Sequence, residues 1–127
     1  MTTPAGPARR RRGRERAGRR AEAVAALLLR LKGFTVVSRR FSCHLGEIDL
    51  IARRGRLVVF VEVKRRDAAG AALEAVGVGQ QRRIARAAAL FLQRRPRLAQ
   101  HELRFDVVAV TPWRWPLHLP DAWRPPL

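Results

Sequence analysis

The amino-acid sequence predicts an α/β protein, with a mixed β-sheet flanked by helices in the order α-β-β-β-α-β. Three observations support this prediction. Apolar residues recur at helical spacing over residues 20–32 and again over residues 80–95. Short runs rich in β-branched and aromatic residues fill much of the remaining chain. The length of 127 residues suits a single domain, so we expect one hydrophobic core.

The first helix is predicted over residues 20–32. Its apolar residues, among them Val24, Leu28 and Leu31, follow i, i+3, i+4 spacing, and Gly33 suits a left-handed C-cap. Residues 1–20 hold eight Arg and one Glu with several Pro and Gly, and are predicted to be a disordered basic arm. Residues 21–127 are then predicted to form the single folded domain.

Three strands are predicted next, over residues 34–41, 47–53 and 57–64, all rich in β-branched or aromatic residues. The second and third are separated by a short turn containing Gly55, which predicts a hairpin. Small residues at 68–72 predict a loop after the hairpin.

The second helix is predicted over residues 80–95 and ends before Pro96. Its apolar residues face inward, whereas Arg82, Arg83 and Arg86 face largely outward. A last strand is predicted over residues 103–110. From Thr111 the chain is rich in Pro and holds all three Trp residues, which we expect mainly to cover an open side of the sheet, with stacking on nucleic-acid bases as the alternative.

Side chains alternate between the two faces of a strand, so the predicted hairpin shows which of its residues lie on the same face of the sheet. A two-residue turn at either 54–55 or 55–56 puts Asp49 on the same face as Glu62 and Lys64. Glu47 lies two residues before Asp49 on the same strand, so it is predicted to lie on the same face. The opposite face is predicted to be core, with Ile48 and Leu50 packed against the valines of the next strand.

Two carboxylates and an ammonium on adjacent apolar strands are costly unless they are paired or hold a metal ion. Carboxylate oxygens suit Mg²⁺ or Mn²⁺, so Asp49 and Glu62 are candidate ligands of a metal placed against a phosphodiester. Lys64 is then placed to orient or deprotonate the attacking water. It is one of only two lysines among 27 basic residues, and its ammonium has a tunable pKa that a guanidinium lacks. A cross-strand salt bridge to Lys64 explains the same pattern without catalysis.

The charge of the chain favours a polyanionic partner. The net charge is +17, and residues 21–127 still carry +10 when the arm, with eight Arg and one Glu, is set aside. Neutralising phosphates releases counterions, so nucleic acid is the expected partner, and Arg82, Arg83 and Arg86 are candidate phosphate contacts. A bias in genome base composition and an ordinary solvated helix face remain the alternatives for the Arg content and for these three residues.

Other features restrict the class of protein. The single cysteine, Cys43, excludes an internal disulfide and fits a reducing compartment. No run approaches the ~18 apolar residues of a membrane span, so we expect a cytoplasmic protein without a membrane contact. Asp106, within an apolar strand, is expected to be structural, either as a cap or by pairing with Arg104 or another nearby Arg.

Three segments carry a resemblance to a known family: GEIDLI at 46–51, FVEVK at 60–64 and RFDVVAV at 104–110. In this order they closely resemble the YraN family of small predicted endonucleases, which is itself similar to archaeal Holliday-junction resolvases. The likeness spans about residues 18–123. It implies a restriction-endonuclease-like fold for the domain at 21–127 and a PD-(D/E)xK site.

The resemblance also assigns residues. It implies that Asp49 is the D and that Glu62 and Lys64 belong to the ExK element. It points to Glu22, on the first helix, as an additional acid near the metal, although by its chemistry alone Glu22 is typical of a solvated helix residue. A homodimer is implied as well, because resolvase-like enzymes need two active sites to cut two strands. Family members often carry Lys where this chain has Gln80, which brings no charge.

These observations lead to three hypotheses. The leading one is a Mg²⁺-dependent endonuclease that hydrolyses DNA, with branched or repair-related DNA as its substrate. The second is a nucleic-acid-binding module that keeps the nuclease fold without turnover. The third is an adaptor whose basic arm binds acidic protein or ribosomal RNA. DNA is favoured over RNA as the partner.

Overall fold

The protein is described by a computed structural model that covers residues 7–65 and 76–125, with side chains from residue 18 onward. The predicted loop at 68–72 lies outside these residues. The elements follow one another as α1 (Pro7–Leu31), β1 (Thr35–Cys43), β2 (Gly46–Arg54), β3 (Leu57–Arg65), α2 (Val78–Gln93), a 3-10 turn (Pro96–Leu98), β4 (Glu102–Val110) and β5 (Leu117–Trp123).

The five strands form one mixed sheet in the spatial order β1-β2-β3-β4-β5. Neighbouring strands are antiparallel except β3 and β4, which run parallel and are joined through α2. Such a parallel pair needs a crossover connection, and α2 supplies it. The predicted mixed sheet is confirmed, with one strand more than the sequence predicted.

The two helices cover opposite faces of the sheet, as predicted. Ala25, Ala26 and Leu29 of α1 pack on one face, against alternate residues of β2, β3 and β4. Ile84 and Phe91 of α2 pack with their neighbours on the other face. Central strands covered on both sides need apolar residues at every position, which explains the nearly continuous apolar run in β3.

The first helix begins at Pro7, well before the start predicted at residue 20. Its backbone is therefore helical through part of the segment predicted to be a disordered arm. Arg and Ala are good helix formers and Pro suits the first helical position, so local propensity outweighs the repulsion of like charges. The division into a basic arm and a domain stays a prediction. Within the described chain no helix is both long and apolar enough to cross a membrane.

The hairpin of β2 and β3 turns at Gly55 and Arg56, since Arg54 pairs with Leu57. Gly55 adopts φ 59°, the left-handed conformation that favours glycine in such turns. This is one of the two registers predicted from the sequence.

The prediction for Ile48 is wrong. It was placed with Leu50 on one face, but Ile48 packs on the α2 side of the sheet and Leu50 on the α1 side. The regular alternation breaks between them, opposite Arg40 of β1, whose backbone has φ 56°. A residue with a left-handed backbone inside a strand interrupts the alternation of side chains between the two faces. A prediction from strict period-2 alternation therefore fails at this point.

The Pro-rich tail forms the fifth strand. Trp123 at its end is 8% exposed and packs against Phe105 with ring centroids 4.4 Å apart. It covers the sheet as expected for the tryptophans. Trp113 and Trp115 do not, since their exposed fractions are 101% and 78%.

Candidate active site

The site lies where β2 and β3 part. The regular pairing of the hairpin ends at Leu50 and Val61. Just beyond, the Asp49 carboxylate accepts a hydrogen bond from the backbone N–H of Val63 at 2.8 Å. The side chain of Asp49 thus lies against the β3 backbone, beside the side chain of Glu62, with which it shares a hydrogen bond.

Two further side chains contact a single oxygen of Glu62, Oε1. Gln80 Nε2, from the first turn of α2, donates to it at 2.9 Å. Lys64 Nζ lies 3.7 Å from it. The Glu62 and Lys64 side chains are 13% and 19% exposed, so both are largely buried yet reachable from solvent. The Gln80 contact was missed by sequence reasoning, because it depends on how α2 packs over β3.

Glu22 reaches the same region from α1 and is buried rather than solvated, with 4% exposure. Its Oε2 accepts a hydrogen bond from Arg40 Nε, and this contact raises the pKa of Arg40. Its Oε1 is buried without a hydrogen-bond partner. The charge of Glu22 also contributes to the raised pKa of Asp49, after burial and the charge of Glu62.

The electrostatics of the site disfavour ionised carboxylates when no cation is bound. Burial, followed by the charge of Glu62, raises the pKa of Asp49 to about 7. Burial also raises the pKa of Glu62, although Lys64 and Gln80 oppose the shift. Carboxylates held this close cannot both ionise cheaply, so they share a proton or require a cation.

The donor set fits a hard divalent cation. Mg²⁺ keeps several waters and needs only one or two protein carboxylates. Asp49 and Glu62 supply these, and the unpartnered oxygen of Glu22 is a buried acceptor without a donor. Among the described residues no group of three or more His, Cys, Asp or Glu side chains is arranged to hold a metal ion. The fit to a cation therefore rests on the pair of Asp49 and Glu62.

The arginines predicted to contact phosphates lie on the outer surface of α2. Arg82, Arg83 and Arg86 are exposed, and the first two lie within one turn of Gln80. The helix packs closely on the hairpin, since a Cβ at Gly46 would lie 3.2 Å from the carbonyl oxygen of Arg83. The structure thus places a basic helix face beside the candidate site.

A second basic region lies at the other end of α2, and sequence reasoning did not single it out. A cleft of about 590 Å³ there is lined by residues that include Arg53, Arg94, Arg95 and Arg97. None of the candidate catalytic residues lines it. Spacing along the chain gave no signal for this cleft, because Arg53 reaches it from β2.

Asp106 pairs with Arg104, as predicted from the sequence. It is fully buried, and Arg104 donates to both of its oxygens, at 2.8 and 2.9 Å. His118 of β5 lies 2.8 Å from Oδ2, and Lys32 at the end of α1 contacts the other ring nitrogen at 2.8 Å. Because a lysine ammonium only donates, His118 accepts at Nδ1 and donates at Nε2. Burial would raise the pKa of Asp106, but these bonds and one from the Asp121 N–H lower it to about 2.

Fold and site together define a mixed α/β protein with paired carboxylates on two adjacent strands. The chain belongs to the family described as Uncharacterised protein family UPF0102, whose model matches residues 21–110. This confirms the family resemblance predicted from the sequence.

Relatives match most of the chain. One from Parvibaculum lavamentivorans is 58% identical over 110 residues, covering 87% of this chain and 83% of the relative. Another, from Paramagnetospirillum magneticum, is 50% identical over 122 residues, covering 93% and 95%. A third, from Brucella canis, is 56% identical over 103 residues, covering 81% and 82%. All three carry the family's name, which states no activity.

Proposed function

We propose that this protein is a divalent-metal-dependent endonuclease that hydrolyses DNA phosphodiester bonds. The observation that carries the proposal is the pairing of the Asp49 and Glu62 carboxylates beside Lys64. Their burial together raises both pKa values, and a bound cation would remove that penalty. An arrangement that is costly without a cation is typical of a functional site.

Each residue has a role that its position allows. Asp49 and Glu62 would hold the metal ion, Mg²⁺ or Mn²⁺, with Glu22 as the third acid. When bound, such an ion supplies Lewis-acid polarisation of the phosphodiester and offsets its charge. Lys64 is placed to orient the attacking water and to stabilise negative charge as it develops. Gln80 fixes the orientation of the Glu62 carboxylate through its 2.9 Å hydrogen bond.

The charge supports nucleic acid as the substrate. The chain carries +17, and the exposed arginines of α2 lie beside the site, where phosphates would contact them. The single cysteine suits a reducing compartment, so the proposal places the enzyme in the cytoplasm. Cutting both strands of a duplex requires two such sites, so the proposal includes a homodimer.

A second candidate function is a nucleic-acid-binding module without turnover. The contact between Arg40 and Glu22 favours it, because this arginine already neutralises the third acid. The module would bind nucleic acid through the same arginines but would gain nothing from a divalent cation. Binding with a steep salt dependence would then be unaffected by changes at Asp49.

The test is cleavage of linear duplex, single-stranded, flap and four-way-junction DNA in Mg²⁺, in Mn²⁺ and in chelator. Wild type is compared with Asp49→Asn and Lys64→Met, which keep the approximate shape of the side chains. Glu102→Gln serves as the matched control, since Glu102 is an exposed acid on β4 away from the site. All four proteins are prepared in parallel.

The proposal expects metal-dependent cutting by wild type and by the control, with loss in both site variants. Cutting that persists in Asp49→Asn and Lys64→Met would come from a contaminant and would end the proposal. Binding of every substrate without cutting would instead support the binding module.

A further inference from the structure

Two tryptophans are exposed on the connection between β4 and β5. Trp113 is 101% exposed and Trp115 is 78% exposed, whereas Trp123 of the same tail is buried. Tryptophan is a largely buried residue type in folded proteins. Exposed tryptophans two residues apart therefore indicate a surface that contacts something else.

The backbone at Trp113 adopts an unusual conformation. Trp113 has φ 64°, a left-handed conformation that is unfavourable for a bulky residue. Strained positions of this kind cluster at ligand clamps and functional loops.

The connection that carries the tryptophans lies toward the same end of the strands as Lys64 of the candidate active site. Lys64 of β3 pairs with Ala109 of β4, which in turn pairs with Leu117 of β5. Neighbouring strands are about 4.8 Å apart, so the backbones of Lys64 and Leu117 are separated by about 10 Å. Trp115 precedes Leu117 by two residues, and its backbone thus lies within about 17 Å of Lys64.

The chemistry around the tryptophans favours nucleobases over an apolar protein surface. Arg114 stands between them and is itself exposed, and the chain carries +17. An aromatic platform beside a cation is the arrangement by which proteins bind unpaired bases and the phosphates that link them. Bases inside an intact duplex present no free face for such stacking.

We propose that Trp113 and Trp115 stack on unpaired nucleobases and so direct the enzyme to DNA that contains unpaired nucleotides. The inference rests on the proposed nuclease activity. Because the backbone of Trp115 lies within about 17 Å of Lys64, the tryptophans would hold unpaired bases a few nucleotides from the cut phosphate. The substrate class is therefore forked, flapped or single-stranded DNA rather than blunt duplex.

The first experiment measures binding in chelator, where a metal-dependent enzyme cannot cut. Probes are oligothymidylate, a forked duplex and a blunt duplex of the same length. Stacking of one base contributes enough that the double variant Trp113→Ser/Trp115→Ser should bind the first two probes at least tenfold more weakly. Its affinity for the blunt duplex should stay at the wild-type value, because phosphate contacts are untouched.

Two controls separate stacking from other effects. The double variant Trp113→Phe/Trp115→Phe keeps aromatic faces and should restore most of the lost binding. Leu31→Ser removes another exposed apolar side chain, one that is 67% exposed on α1, and should bind as wild type. Trp123 remains in all variants as a fluorescent reporter of the folded core.

The outcomes are distinguishable from those of the nuclease test. Preference for unpaired DNA that needs the tryptophans, with no cutting in any metal, supports base stacking by Trp113 and Trp115 and removes the nuclease. Cutting and binding that are unchanged in the serine variant overturn the inference and leave the nuclease standing. A dimer that falls apart in the serine variant, with binding of all probes unchanged, also overturns it, since the tryptophans would then contact a second copy.

Discussion

Replacing Asp49 by Asn should make the metal-free protein more stable at neutral and alkaline pH, although it removes a proposed metal ligand. The pKa of Asp49 is raised to about 7, first by burial and then by the charge of Glu62. The folded protein therefore binds this proton more tightly than the unfolded chain does. Its free energy of unfolding falls as pH rises from about 4 to about 7, and the substitution removes that loss.

The magnitude follows from the size of the shift. A rise from 3.8 to about 7, at about 1.4 kcal/mol for each pKa unit, sets an upper limit of roughly 4 kcal/mol. Asp49 shares the penalty with Glu62, and asparagine stays buried, so we expect about 1 to 3 kcal/mol. At roughly 4 °C for each kcal/mol, Tm should rise by about 4 to 12 °C.

The assay is thermal unfolding of wild type and Asp49→Asn at about pH 4 and about pH 8, in chelator and in saturating Mg²⁺. The two proteins should be equally stable at the lower pH, and the variant should be more stable at the higher pH. Mg²⁺ should stabilise wild type, because it binds the folded state alone, and should leave the variant unchanged.

A second aspartate provides the control of opposite sign. Asp106 is fully buried and its partners lower its pKa to about 2, so Asp106→Asn should destabilise the protein at about pH 8. If Asp49→Asn also destabilised the metal-free protein there, the carboxylates of the site would not be held in unfavourable proximity. The reasoning behind the metal site would then be refuted.

Three further predictions concern residues around the site and the core. As pH falls from about 4 to about 2, wild type should lose the roughly 2 kcal/mol contributed by ionised Asp106, so its urea unfolding curve should approach that of Asp106→Asn. Trp123→Ala should cost about 3 to 5 kcal/mol by the same measurement, whereas Trp113→Ala should change stability by less than about 0.5 kcal/mol. Gln80→Ala removes a hydrogen bond that lowers the pKa of Glu62, so Mg²⁺ binding by calorimetry should weaken near neutral pH and recover at alkaline pH.

Local patterns sufficed to predict most of the fold. Gly55 between two apolar runs predicted the hairpin and its turn, because the turn needs a positive φ that glycine adopts freely. The apolar spacing of α2 and Pro96 after it predicted the second helix. The pairing of Asp106 with Arg104 was foreseen because the two are neighbours along one strand face. In each case the residues that decide the structure lie close together in the sequence.

What the sequence did not predict depends on distant contacts or on competing tendencies. Strand β5 was missed because Pro116 and Pro120 argue against a strand, yet an edge strand tolerates proline. The predicted face of Ile48 was wrong, because alternation along one strand cannot anticipate that Arg40 on the neighbouring strand has a left-handed backbone. The contact of Gln80 with Glu62 joins two elements whose packing no local pattern encodes.

Strand β5 also has a consequence for the solubility of the protein. The family match ends at Val110, but β5 beyond it pairs along β4 and covers Phe105 with Trp123. A chain trimmed to the matched region would present the bare edge of β4, with free amides beside apolar side chains, as a template for another copy. In the full chain that template is capped by a strand that contains Pro120, whose missing amide makes further strand addition unfavourable. We therefore expect the proline-rich tail to disfavour strand addition at the β5 edge of the sheet.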